Sequence, residues 1–306
     1  MRGLEATPGS AGGQPEAGRG SQFNPRLPLR RAIGAIFAAF CFAATLFGLV
    51  VLVVLLVDVW RDGAGALSWD FLNGFPSRRA SRAGIKPALV GSTWMLVLTT
   101  VFAFPLGVGA ALWLEEYAPR TRLTRLIQLN IANLAGVPAV VYGILGLAVF
   151  VRTFALGRSI VAGALTLALL VLPVIVIAAQ EAIRAVPNSI RLGAYALGAT
   201  RWQTIWHHVL PLALPGILTG TILALSRAIG EAAPLIMIGA LAFVPFVPEG
   251  PLDSFTVIPI QIFNWISRPQ ASFHQLAAAA SLVLLVLLLG LNAVAILLRN
   301  RYSKRY

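Results

Sequence analysis

Gln180-Glu181-Ala182-Ile183-Arg184-Ala185-Val186-Pro187-Asn188-Ser189-Ile190-Arg191-Leu192-Gly193-Ala194-Tyr195-Ala196-Leu197-Gly198-Ala199-Thr200, continuing as Arg201-Trp202-Gln203-Thr204-Ile205-Trp206-His207-His208, separates two long apolar runs. Pro187 restricts the residue before it and discourages the preceding helix from continuing. Asn188 or Ser189 can cap a new helix. Gly198 is a natural C-terminal stop because it is free to adopt positive φ. Thr200 can cap a second helix in which Trp202, Ile205, Trp206 and Val209 fall at i, i+3, i+4 and i+7. The stretch thus reads as a helix–turn–helix outside the apolar runs, with one apolar face. Such a face suits a groove on a partner or the bilayer surface.

The surroundings of this stretch define the class of protein. The chain has 306 residues, of which 58% are apolar and 11% charged. Soluble domains carry roughly 25% charged residues, so a soluble globular or disordered chain is excluded. The single cysteine, Cys41, excludes an intrachain disulfide, and the three histidines offer no metal-site spacing. An uncharged apolar run covers 32–57, which is longer than a cleaved signal peptide's core of roughly 7–15 residues. Five more apolar runs lie at 88–114, 128–151, 159–179, 209–244 and 276–298. A spanning helix needs about 20 predominantly apolar residues. The expected fold is an all-α membrane protein with six transmembrane helices. Residues 1–31 read as a disordered tail, 58–87 as an outer loop, 88–298 as the core and 299–306 as a basic tail. The run 209–248 is too long for one untilted helix and is open to reading as one kinked span or a broken one.

The net charge of +13 reads as topology rather than as nucleic-acid binding. The two tails and the segments 115–127 and 180–208 carry fifteen of the Lys and Arg residues, and the other three loops carry eight. The positive-inside rule puts the fifteen, and both termini, in the cytosol. The segment 58–87 departs from this pattern with Arg61, Arg78, Arg79, Arg82 and Lys86.

Two charges do not lie in tails, loops or span ends. Arg227 and Glu231 interrupt the run 209–248 at a spacing of four, which predicts one helix face. Ionisable groups inside a membrane are costly and face a cavity or a partner. Arg227 can line a route for an oxyanion, because its planar fork donates paired hydrogen bonds. Glu231 can hold or release it. The alternative is a pair that neutralises itself and orients the helix.

The spacing of Gly198 and the later His208-Val209-Leu210-Pro211 resembles the cytosolic loop of binding-protein-dependent ABC importer permeases, with Leu192 where that family has Glu, Gly193 where it has its first Ala, and Ala194 next. Further segments resemble the phosphate-importer permeases of the PstA type. These are Gly107 to Pro119 (with Trp113-Leu114-Glu115-Glu116-Tyr117), Asn133 to Leu147, Ala196 to Trp202, and Arg227-Ala228-Ile229-Gly230-Glu231-Ala232-Ala233-Pro234-Leu235. The resemblance spans roughly 85–300. It implies a type I ABC importer permease fold in the bacterial inner (plasma) membrane, with a cytosolic coupling helix in 180–208. It implies a PstC-like sister permease, two PstB-like ATPase subunits and a PstS-like periplasmic protein that delivers inorganic phosphate. Leu192, Gly193, Ala194, Gly198, Trp202, Ile205, Trp206, Leu210 and Pro211 would form the coupling loop, with Trp202, Ile205 and Trp206 as anchors. Arg227 and Glu231 would lie on the substrate pathway. No Walker A pattern occurs in the chain, so no cofactor is expected in it, and ATP and Mg would be held by the ATPase partners. Other readings are a permease for another oxyanion, sulfate or molybdate, and a non-transporting scaffold in phosphate sensing.

Overall fold

The computed structural model describes residues 27–240 and 243–303. The expected tail 1–31 falls mostly outside these residues, as do 304–306 of the basic C-terminus. The chain forms two units, Met1–Leu56 and Val57–Tyr306. Helix α1 (Leu27–Gly63) supplies the described part of the first unit. It begins before Arg30 and Arg31, so these residues are helical and not part of a tail. Its apolar residues cover every side, as in a helix that meets lipid rather than a one-sided core.

The second unit is built from α2 (Trp69–Asn73), α3 (Lys86–Leu112), α4 (Arg122–Leu134), α5 (Ala139–Gly146), α6 (Ile160–Arg184), α7 (Asn188–Ala196), α8 (Arg201–Thr204), α9 (Leu210–Ile229), α10 (Ala233–Ile238), α11 (Ile258–Ile266) and α12 (Ala271–Ser303). Helix α6 is the central member. It packs between α3 and α9, and α9 in turn packs on α12. Small residues set these approaches. A Cβ on Gly220 would run into the Ala178 side chain, and one on Gly216 would lie 2.8 Å from that of Ala182. Lipid supplies no hydrophobic drive between helices, so close backbone approach through small residues supplies the contact.

Among the described residues, five helices are long and apolar enough to cross a membrane, and a sixth crossing exists if the bent pair Arg122–Leu134 and Ala139–Thr153 counts as one. The run 128–151 is not one continuous helix: the chain turns by 103° at 135–138. Pro138 has no N–H to continue the ladder. The Tyr142 hydroxyl donates to the Leu134 carbonyl at 2.8 Å, which satisfies a group freed by the break. The fifth run is also broken. α9 ends at Ile229 and α10 starts at Ala233, with Pro234 in its first turn. Six residues cannot cross a membrane, so α10 is not a further span; it packs on α5. It ends at Gly239 with φ of +89°, a conformation that favours glycine.

The segment 58–87 is folded. Ser68 caps α2, accepting from the Phe71 N–H at 3.1 Å. Phe71 is buried against Trp265 of α11, with ring centroids 6.0 Å apart. α12 continues as helix to Ser303, so it includes Arg299 and Arg301 of the basic C-terminal segment. Arg299 reaches back to the Thr219 hydroxyl of α9 at 3.3 Å.

Candidate substrate pathway and coupling surface

Glu231 stands in the break between α9 and α10, one residue beyond Gly230. The expected single helix face is thus not what joins it to Arg227. The pair spans a helix end, with Arg227 Nε 3.5 Å from Glu231 Oε1. The Arg227 side chain is 70% exposed and that of Glu231 24%. Arg227 lines a narrow slot with Val137 from the α4–α5 break and Val174 of α6. The guanidinium is therefore bordered by two backbone breaks, has one weak carboxylate contact and keeps donors free. Chemically, it can offer a bidentate hydrogen-bonding fork to an oxyanion. Next to it, Gly143 of α5 lets Pro234 of α10 approach: a Cβ there would lie 2.7 Å from the Pro234 Cα and carbonyl oxygen.

The stretch 188–209 folds largely as its sequence dictates. α7 starts at Asn188 with Pro187 at its N-cap and no side-chain cap bond, so neither Asn188 nor Ser189 caps it as expected, because both already lie inside the helix; Gly198 ends the turn with φ of +82°. Thr200 and Gln203 form a reciprocal capping box. The second helix departs from expectation at Ile205–Val209, which is π-helical. The wider turn rotates successive side chains away from 3.6-residue spacing, so the expected apolar face divides. Ile205 and Val209 are buried in the bundle. Ile205 is therefore a core residue and not an exposed anchor. Trp202 and Trp206 stack on each other, ring centroids 5.5 Å apart and 18° between planes, and both remain exposed. Leu192, Tyr195 and Leu197 are exposed with them; Leu197 is the most open at 90%. Gly193 and Gly198 are exposed, Ala194 is buried, and Leu210 and Pro211 are half-buried where α9 begins. The structure thus brings most of the loop residues onto one elbow, and it adds Tyr195 and Leu197, which the spacing did not single out.

A buried polar network fixes this elbow to the bundle. The chain turns π-helical at Trp113–Tyr117, just past α3. There Glu116 is 7% exposed and accepts from Arg191 Nε at 3.0 Å and from an Arg191 terminal nitrogen at 2.7 Å. Arg191 also donates to the Val186 and Ile183 carbonyls at 2.8 and 3.0 Å, capping the end of α6. Neighbouring Glu115 accepts from Arg184 at 2.6 Å and from the Gln180 amide at 2.9 Å. The Arg201 guanidinium lies 5.2 Å from the Tyr117 ring centroid. Two arginines of the elbow therefore grip one turn of the α3 terminus. Glu115, Glu116, Gln180, Arg184 and Arg191 were not among the expected site residues. Their one sequence signal is an acidic pair at the end of an apolar run, opposite a basic loop.

A bundle of membrane helices, one span broken at a charged pair and a helical elbow clamped at one end, is the build of a transport permease. The chain belongs to the family of binding-protein-dependent transport system inner membrane components, whose family model matches residues 103–306. It is 34% identical over 271 residues to YqgI, a probable ABC transporter permease protein of Bacillus subtilis, covering 82% of this chain and 92% of that protein. It is 32% identical over 293 residues to the phosphate transport system permease protein PstA 1 of Mycobacterium tuberculosis, covering 92% of this chain and 94% of that protein. Among solved structures it is similar to a chain of a bacterial alginate ABC transporter in complex with an alginate-bound periplasmic protein. The TM-score is 0.63 at 17% identity, over 92% of this chain and 98% of that one. That likeness supports the fold.

Proposed function

We propose that this chain is the membrane permease subunit of an ATP-driven inorganic phosphate importer. One observation carries the reading: a largely exposed guanidinium, Arg227, stands at the break of a membrane helix beside a slot bordered by a second break. The likeness to phosphate transport system permeases over most of the chain supports phosphate as the solute. In this reading Arg227 meets phosphate transiently through its paired N–H groups, and Glu231 competes for the same guanidinium so that the anion is released. The pathway is completed by a sister permease. ATP and Mg belong to two ATPase partners, which dock on the exposed elbow of Leu192, Leu197, Trp202 and Trp206. A periplasmic binding protein delivers the anion, and both termini are cytosolic. The ATPases' movement reaches the bundle through Arg191 and Glu116, because the elbow and the end of α3 are joined there by a buried ion pair.

The test is Arg227→Gln, which keeps size and polarity but removes the charge. Phosphate uptake into membrane vesicles is expected to fall by about tenfold or more, the loss of one charge-assisted hydrogen bond of roughly 1.5–3 kcal/mol, with the complex still assembled. Normal uptake by a well-expressed variant overturns the pathway role. Sulfate and molybdate offer a guanidinium similar acceptors, so the same assay run with those anions separates an importer of another oxyanion from this reading.

A further inference from the structure

We infer that the chain carries a second anion site, for a phosphate group, at the end of the bundle where the coupling elbow emerges. A cleft of about 360 Å³ opens there between the end of α3, the start of α4 and the end of α6. Three guanidinium groups from three different segments line it: Arg120 from the connecting loop, Arg125 on α4 and Arg184 on α6. Glu115 is the one carboxylate in the lining, which also includes the hydroxyl of Thr121 and the amide of Gln128. Arg184 is already engaged by Glu115 at 2.6 Å and by Glu181 at 3.1 Å. The Arg120 and Arg125 side chains have no hydrogen-bond or ion-pair partner among the described residues. Three like charges around one open cleft, with two of them unanswered, form a site that attracts a compact anion with several acceptor oxygens. A phosphate group fits, since guanidinium binds it through paired hydrogen bonds.

The position of the cleft names two sources for that chemistry. Leu114, where the apolar run of α3 ends, lies in its wall. Trp113, Tyr117, Leu123 and Leu126 are exposed around it. Tryptophan and tyrosine mark the boundary between hydrocarbon and water, and the exposed leucines offer apolar surface beside them. A phospholipid could seat its phosphodiester in the cleft and lay its chains over Leu123 and Leu126. Free phosphate in the aqueous phase would meet the same three guanidinium groups. This site is separate from the Arg227 slot. It depends on the membrane fold and not on which solute the pathway carries.

The test uses the purified full chain in its complex, delipidated in detergent. Phosphatidylglycerol, neutral phosphatidylcholine or radiolabelled inorganic phosphate is then added, and retention is read by native mass spectrometry or by equilibrium dialysis. The inorganic phosphate arm is run on the Arg227→Gln background, so that the pathway does not contribute. R120Q/R125Q is expected to lower retention by about tenfold or more, because it removes the two guanidinium groups that are free to pair with a phosphate group. R120K/R125K is expected to keep most of it. A variant-sensitive signal with phosphatidylglycerol assigns the site to lipid, and one with inorganic phosphate assigns it to the soluble anion. Phosphatidylcholine retention that is variant-sensitive counts with phosphatidylglycerol as lipid binding. Retention of phosphatidylglycerol and of inorganic phosphate that is equal in the wild type and in R120Q/R125Q, or absent from both proteins, overturns the inference.

Discussion

At the scale of single residues, the buried pair Arg191–Glu116 is what holds the elbow in place. Both side chains are largely withdrawn from solvent, and the guanidinium has four short contacts. Breaking such a pair by removing one partner strands the other, at a cost of about 3–5 kcal/mol. Arg191→Met is therefore expected to lower the unfolding temperature of the detergent-purified complex clearly. The double variant Arg191→Met with Glu116→Gln is expected to recover part of that loss, because no unpaired carboxylate remains. Equal loss in both variants would mean that the ion pair is not what stabilises the elbow. This pair was not legible in the sequence. Its members are 75 residues apart, and spacing rules describe neighbours on one helix, not partners on two. By contrast, Arg227 and Glu231 were legible, because a charge in an apolar run is costly wherever it sits. Their helix-face geometry was not, since Gly230 ends the helix between them.

At the scale of elements, the Pro187 and Gly198 stops and the Thr200 cap were readable, the cap expected from Asn188 or Ser189 was not formed, and helix periodicity was less readable. Pro187, Gly198 and Thr200 each act through their own local chemistry, and each sits where that chemistry required. The face predicted from Trp202, Ile205, Trp206 and Val209 divided because the π-helical turn at Ile205–Val209 changes the residue angle. π turns inside helices occur often at functional sites, and this one joins the elbow to α9. The consequence is a sharper surface: a stacked pair of tryptophans facing outward, with the aliphatic residues turned inward. Trp202→Ala with Trp206→Ala is expected to leave the bundle folded and to abolish solute-stimulated ATP hydrolysis by the complex. Interface hot spots enriched in tryptophan cost about 2 kcal/mol or more each when truncated, so co-purification of the ATPase is expected to fall in parallel. Undiminished co-purification and stimulation would remove the docking role from these residues.

At the scale of the whole molecule, the count of apolar runs gave the fold class directly, since only length and hydropathy were needed to place six candidate crossings. What composition does not encode is where a run bends. The 103° turn before α5 and the break before α10 each contain a glycine, Gly136 and Gly230, and place a proline at or near the start of the next helix. Each lies beside the Arg227 slot. Irregular backbone at membrane depth is tolerated where it is buried in protein or lines a water-filled cavity, which is the arrangement a transport pathway needs. The central claim is that this bundle passes phosphate under the drive of ATP. The most direct measurement is ATP hydrolysis and radiolabelled anion uptake by the complete complex in proteoliposomes, with binding protein loaded with phosphate or with sulfate. Phosphate-loaded binding protein is expected to stimulate hydrolysis and uptake together, and sulfate-loaded protein to stimulate neither. Equal stimulation by sulfate, or hydrolysis with no phosphate entering the vesicles, would contradict the claim.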